Sequence, residues 1–158
     1  MATSINDDHL TIGSKAPAFA LKDQTGQTVR LSGFSGRKVL IFFYPKANTP
    51  GCTTQACGLR DIADEIGDTA VIGISPDMPD KLQTFDTQHE LGFTLLSDPE
   101  HTVAEKYGVW GLKKLYGREY MGIFRSAFLV DEKGKLSQLW YKISPKDTPK
   151  KLLAALTV

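Results

Sequence analysis

Several common functions find little support in this chain. Its 158 residues include only two cysteines and three histidines, and the formal net charge is +1. His9, His89 and His101 stand far apart, without the close spacing of metal ligands, so no zinc site is expected. Lysine and arginine, 19 in all against 18 acidic residues, are scattered along the chain. No basic stripe is left for nucleic acid or an anionic membrane surface. No run approaches the ~20 apolar residues of a membrane-spanning helix. The opening M-A-T-S-I-N-D-D-H-L has neither the basic flank nor the apolar core of a signal peptide. A cytoplasmic protein is expected. Repeats, low-complexity tracts and linkers are missing too, so the length implies one domain over 1–158 with a substantial core, its first residues, 1–10, forming a flexible leader.

Hydrophobic patterning is strong. A-P-A-F-A-L (16–21) and T-V-R-L (28–31) flank a turn and predict an N-terminal hairpin. K-V-L-I-F-F-Y (38–44) and T-A-V-I-G-I-S (69–75) are continuous β-branched and aromatic runs, as in strands buried on both faces. Between them a helix is predicted from Thr49 to about Ile66, closed by Gly67. A second helix is expected over 77–91, a short strand over 93–97, and a third helix from Asp98-Pro99 to Gly108. Residues 109–122 read as a long aromatic-rich connection. The segments 125–130 and 136–143 form a hairpin, and 147–156 a final amphipathic helix. Strands alternating with helices, then a closing hairpin, predict an α/β fold with a mixed sheet covered on both faces.

Chemistry is concentrated in T-P-G-C-T-T-Q-A-C, residues 49–57, which holds both cysteines. A pair this close staples only a tiny loop, unlike the several long-loop bridges of small secreted domains. Two buried thiols acting as small hydrophobes would be the plainer reading. Their placement argues otherwise. Thr49 suits an N-cap and Pro50 the first helical position, so Cys52 falls in the first turn, where unpaired N–H groups and the helix dipole favour an anion. The thiolate is the nucleophilic form of cysteine. The stripe Cys52, Ala56, Leu59, Ala63, Ile66 is apolar, whereas Cys57, Arg60, Asp61, Asp64, Asp68 is polar. Cys52 is therefore expected to point inward and Cys57 outward. Five helical residues rise ~7.5 Å and turn ~140°, separating Cα atoms by roughly 8.6 Å. A disulfide tolerates about 7 Å. The two thiols can join only if the helix start unwinds, and T-P-G-C-T-T, with Gly58 beyond, is a weak helix former.

Y-P-K-A-N-T-P-G-C-T-T-Q-A-C-G-L-R-D (44–61) resembles the active-site segment of the peroxiredoxins, in the atypical 2-Cys subgroup called bacterioferritin comigratory protein or peroxiredoxin Q. The pattern Pro-x-x-x-Thr-x-x-Cys is met by Pro45, Thr49 and Cys52. The resemblance extends through G-S-K-A-P-A-F-A-L, G-I-S-P-D, L-L-S-D-P, Y-G-V-W-G and R-S-A-F-L-V-D, nearly the whole chain. It implies a thioredoxin-like fold with an N-terminal hairpin extension. It also implies a thiol peroxidase that reduces hydrogen peroxide and organic hydroperoxides, serves antioxidant defence and uses no metal, haem or flavin. Separately, no strongly apolar exposed element forces an oligomer, so a monomer is expected. Cys52 would be the peroxidatic nucleophile and Cys57 the resolving thiol, joined in an intrachain disulfide that thioredoxin reduces. Thr49 would bond the thiolate and substrate oxygen, Arg125 would hold its charge near the sulfur, and Pro45 would shield the thiolate from water. Gln55 would support Arg125. Trp110, Tyr116, Tyr120 and Phe124 read either as packing of the long connection or as an apolar rim for alkyl hydroperoxides.

Two rival functions start from the same residues. A thioredoxin-type oxidoreductase would want C-x-x-C and a proline just before the penultimate strand, and 119–125 holds none. A redox-sensing binding protein would pass its oxidised state to a partner rather than turn over rapidly.

Overall fold

The run K-V-L-I-F-F-Y folds as the strand Val39–Phe43, with every residue buried. The pleat sends alternate side chains to opposite faces. Val39, Ile41 and Phe43 enter one core and Leu40, Phe42 and Tyr44 the other. A computed structural model describes residues 10–156. Residues 1–9 of the expected leader lie outside the described residues, and Leu10 is already buried in the core.

The described elements run β1 (Ala20–Asp23), β2 (Thr28–Arg30), β3 (Val39–Phe43), α1 (Pro50–Asp61), β4 (Ala70–Ser75), α2 (Pro79–His89), β5 (Thr94–Ser97), α3 (Thr102–Lys106), β6 (Trp110–Leu115), β7 (Arg118–Ile123), β8 (Ser126–Val130), β9 (Leu136–Trp140) and α4 (Asp147–Leu156). Among the described residues, seven strands form one mixed sheet in the order β2-β1-β5-β4-β3-β8-β9. β3, β4 and β5 are mutually parallel, while β1, β8 and β9 join antiparallel. Helices α1, α2 and α4 cover one face through Leu59, Leu82, Phe85 and Leu152, and α3 covers the other through Val103 and Ala104. No described helix is long and apolar enough to cross a membrane.

Differences from the expected elements have local causes. α1 stops at Asp61, and a 3₁₀ turn at Ala63–Glu65 follows. The tighter winding shifts the phase of the stripe, so Ile62 is buried while Ala63 faces solvent. α3 starts four residues after Asp98, whose carboxylate instead caps it by accepting from the Val103 and Ala104 N–H groups. The connection expected at 109–122 is a two-stranded hairpin of β6 and β7. Tyr116 and Gly117, both at positive φ (52° and 77°), form its two-residue turn, the geometry that matches strand twist.

α4 seats on α1 at Gly58. A Cβ there would lie 2.9 Å from Pro149 Cγ, in a rigid ring that yields little. Helix propensity favours Gly58→Ala by roughly 1 kcal/mol, and overpacking opposes it by about 1–3 kcal/mol. The clash wins. Gly58→Ala is expected to lower the urea midpoint; a raised midpoint would show that the seam has slack.

Candidate active site

Cys52 lies in the first turn of α1, wholly buried, with Pro50 at the helix start. Cys57 is half-buried one and a half turns on, and both thiols are unpaired. One continuous helix holds both, so their separation is that of an intact helix, too long for a disulfide. Cys52 points into the core as expected. Cys57 is less exposed than its polar stripe implies, because it packs against the edge of the same apolar cluster.

Arg125 arrives from the residue before β8. Its Nη1 donates to Cys52 Sγ at 3.3 Å and to Gln55 Oε1 at 2.9 Å. Three features hold it there. Ile143 N donates to the Arg125 carbonyl at 2.9 Å, Gln55 is wholly buried, and Gly51 leaves room. A Cβ on Gly51 would stand 3.1 Å from Arg125 Nη2. Gly51 and its role were not legible as a site feature, since its backbone is ordinary and only a residue 74 positions away explains it.

The loop entering α1 is pinned from the second βα connection. Ala47 N donates to Asp77 Oδ2 at 2.8 Å, and Ser75 Oγ donates to the same oxygen at 2.7 Å. Asn48, at φ 62°, meets His89 Nε2 through Oδ1 at 3.0 Å. Pro45 is half-buried in this loop. Thr49 is the N-cap residue, yet its hydroxyl accepts no bond from the helix N–H groups and donates to the Lys46 carbonyl at 2.7 Å rather than bonding Cys52. The expected Thr49–Cys52 contact is therefore not made in this state.

Tyr44, beneath the site, is wholly buried and its hydroxyl has no hydrogen-bond partner. Burial pushes the phenol well above its ordinary range. Neighbouring Ser75 opposes this, and the negative charge available to Asp77 and Cys52 adds to it. Ser75 Oγ directs its proton to Asp77, so it could serve the phenol only as an acceptor, and no such hydrogen bond is made.

A second cation flanks Arg125. Lys113 Nζ donates to the Ile123 carbonyl at 2.7 Å and lies 5.5 Å from the centre of the Phe124 ring. Burial, then the Arg125 charge, lowers its pKa, while Cys52 pulls the other way. Lys142 lies over the same ring at 5.0 Å. Of the four expected aromatics, Phe124 precedes Arg125 directly and carries both amines. Trp110 stacks on His101 at 3.8 Å, and Tyr116 is 94% exposed at the β6–β7 turn. Tyr120 is exposed and pairs across the β6–β7 hairpin with Lys113. Among the described residues, no three His, Cys, Asp or Glu side chains gather as metal ligands.

The geometry offers a buried thiol at a helix start, a guanidinium on its sulfur and a second thiol in reach only after unwinding. Comparisons with known proteins bear on it directly. The AhpC/TSA family model matches residues 12–139. The putative peroxiredoxin Bcp of Haemophilus influenzae is 56% identical over 140 residues, 87% of this chain and 90% of the relative. The crystal structure of the peroxidoxin BcpB of Mycobacterium tuberculosis is 37% identical with a TM-score of 0.83, covering 94% of this chain and 97% of that one. The bacterioferritin comigratory protein of Xanthomonas campestris, studied for its alkyl peroxide reduction activity, is 29% identical with a TM-score of 0.83, covering 88% and 90%.

An unsatisfied buried hydroxyl costs about 1–3 kcal/mol. Tyr44→Phe is thus expected to raise unfolding stability by about 1 kcal/mol in urea. A loss of that size would mean that the phenol has a partner.

Proposed function

Because the chain belongs to the AhpC/TSA family and resembles its Bcp peroxiredoxins over most of its length, we propose that its thiol-dependent peroxidase activity runs through Cys52 as peroxidatic nucleophile and Cys57 as resolving thiol. The observation that carries this reading is the Arg125 guanidinium on Cys52 Sγ at 3.3 Å. The Cys52 thiolate attacks one peroxide oxygen of ROOH and the O–O bond breaks. Cys52 gains that oxygen with its proton as sulfenic acid, and the other leaves as an alkoxide that takes back from solvent the proton the thiol released, giving ROH. α1 then unwinds at its start, the Cys57 thiol condenses with the sulfenic acid, water leaves and the intrachain disulfide forms. A dithiol protein, for which we propose thioredoxin, reduces it by exchange and carries the disulfide away.

Magnitudes assign the donors their work. A thiol of ordinary pKa, ~8.5, is about 3% ionised at pH 7, so full ionisation gains at most about 30-fold. Each further tenfold needs ~1.4 kcal/mol of transition-state stabilisation. Preorganised donors at the oxygen that gains charge supply such energies. Arg125 is already in place, and Thr49 joins it by turning its hydroxyl from Lys46 toward the incoming peroxide. Pro45 screens the sulfur from water. Hydrogen peroxide and alkyl hydroperoxides are the proposed substrates, the latter supported by the activity studied in the Xanthomonas protein. A monomer is proposed, since Arg125 and Gln55 reach Cys52 without help from a second copy. A reducing cytoplasm suits a cycle that must restore both thiols.

Cys52→Ser is expected to abolish peroxide consumption coupled to thioredoxin. Cys57→Ser should consume one peroxide equivalent and then stop. Turnover that survives in Cys52→Ser would show the nucleophile to be misassigned. Arg125→Met should slow Cys52 oxidation on the order of 100-fold, the usual effect of losing one such donor. A change under threefold in competition kinetics would remove Arg125 from the mechanism.

A further inference from the structure

Thr148 does not face Cys52, yet it is joined to the residues that do. Gln55 Nε2 donates to Thr148 Oγ1 at 2.9 Å, and Thr148 Oγ1 donates to the Ser144 carbonyl at 2.9 Å. Both Gln55 and Thr148 are wholly buried. At its other end, Gln55 Oε1 accepts from Arg125 Nη1, the nitrogen that also donates to Cys52 Sγ. A guanidinium only donates. Gln55 must therefore present its oxygen to Arg125, and its NH₂ group must find an acceptor on the opposite side. Thr148 Oγ1 is that acceptor, and its own proton is directed to Ser144. The hydroxyl thus selects which end of the amide meets Arg125.

The same bond crosses the seam between two helices. Gln55 lies on α1 between Cys52 and Cys57, and Thr148 lies on α4. One position further along α4, Pro149 sits against Gly58. Unwinding α1 far enough for Cys57 to reach Cys52 must withdraw Gln55 from Thr148.

We propose that Thr148 is a positioning residue with two opposed effects on the catalytic cycle. It fixes Gln55, and through it Arg125, for the attack of Cys52 on peroxide. It also ties the middle of α1 to α4 against the unwinding that lets Cys57 resolve the sulfenic acid. The inference rests on the roles proposed above for Cys52 and Cys57.

The test follows the two steps separately in the full chain. The reduced protein is mixed with one equivalent of hydrogen peroxide. Oxidation is timed by competition with a haem peroxidase, and disulfide formation by acid quench, alkylation and mass spectrometry. Thr148→Val keeps the volume and removes the hydroxyl, Thr148→Ala removes it without new bulk, and Thr148→Ser retains it. Losing one neutral hydrogen bond corresponds to about fivefold. Valine and alanine variants are expected to oxidise about fivefold more slowly and to close the disulfide about fivefold faster, with serine within about twofold of wild type on both steps.

General loosening of α4 is controlled with Leu152→Ala, a buried apolar position on the same helix that cannot hydrogen-bond Gln55. If that variant, at equal loss of urea stability, shows the same pair of changes, the proposal is overturned. It is also overturned if both steps of the valine and alanine variants stay within twofold of wild type. Failure of both to fold while serine folds would mark the hydroxyl as purely structural and would overturn it as well. A wild-type chain that forms no Cys52–Cys57 disulfide would instead remove the underlying reading and this inference with it.

Discussion

The antiparallel pairing of β3 with β8 is the constraint from which the site follows. Phe43 pairs with Ser126, so the end of the central strand and the beginning of its neighbour lie side by side. The chain leaving β3 turns through 45–49 into α1, and the residue just before β8 is Arg125. A nucleophile and a cation 73 positions apart are thus delivered to the same end of two neighbouring strands by their backbone pairing. The parallel pairing of Phe43 with Ile74 does the same for the Ser75–Asp77 turn, which holds the loop before α1. Helices from one chain segment and a strand from another meet at the carboxyl end of β3, where the open backbone of the sheet leaves room for a ligand.

Two demands then fall on α1. It must be helical for Cys52 to sit against Arg125, and it must open for Cys57 to reach Cys52. Its sequence makes opening cheap, with proline, glycine and three threonines around Cys52 and glycine again at 58. Its surroundings make closure firm. Cys52, Gln55, Ala56 and Leu59 are buried, and α4 rests on Gly58. Gly58 thus serves both states, lowering propensity when α1 opens and admitting Pro149 when it is closed. Local opening of a weak element held by a few specific contacts is how a stable fold accommodates a moving step.

The strands and helices that carry strong periodicity were legible in the sequence, as was the paired placement of the cysteines. Buried runs such as 38–44 identify themselves because both faces are apolar, and α4 shows its stripe clearly at the predicted 147–156. The β6–β7 hairpin was not legible, since its turn uses Tyr116-Gly117 rather than an asparagine or aspartate pair and its strands carry glycines and lysines. At the site, Cys52 and Cys57 could be read from helix geometry alone, whereas Arg125 needed a family resemblance, because contacts made through β8 leave no trace in local sequence. Gly51, Lys113 and Thr148 escaped for the same reason. Each is explained by a partner 10 or more residues away, and none belongs to a residue type that signals chemistry by itself.

Electrostatics explains why the chain of contacts behind Arg125 is neutral. A carboxylate in place of Gln55 would pair with the guanidinium in a buried setting, and ion pairs there carry a heavy desolvation cost. It would also cancel much of the positive field that Cys52 and a departing oxyanion need. An amide accepts from Arg125 without taking its charge. That choice creates a second requirement, since the amide N–H groups on the far side are sealed from water with the rest of the wholly buried Gln55. An unpaired buried donor would cost about 1–3 kcal/mol. The acceptor has to come from whatever covers α1, and it must not be a charge that would restore the problem. Thr148 meets both conditions, with its own proton directed to the Ser144 carbonyl. The need to leave one cation uncompensated at Cys52 thereby extends through Gln55 to the choice of a hydroxyl at the start of the last helix.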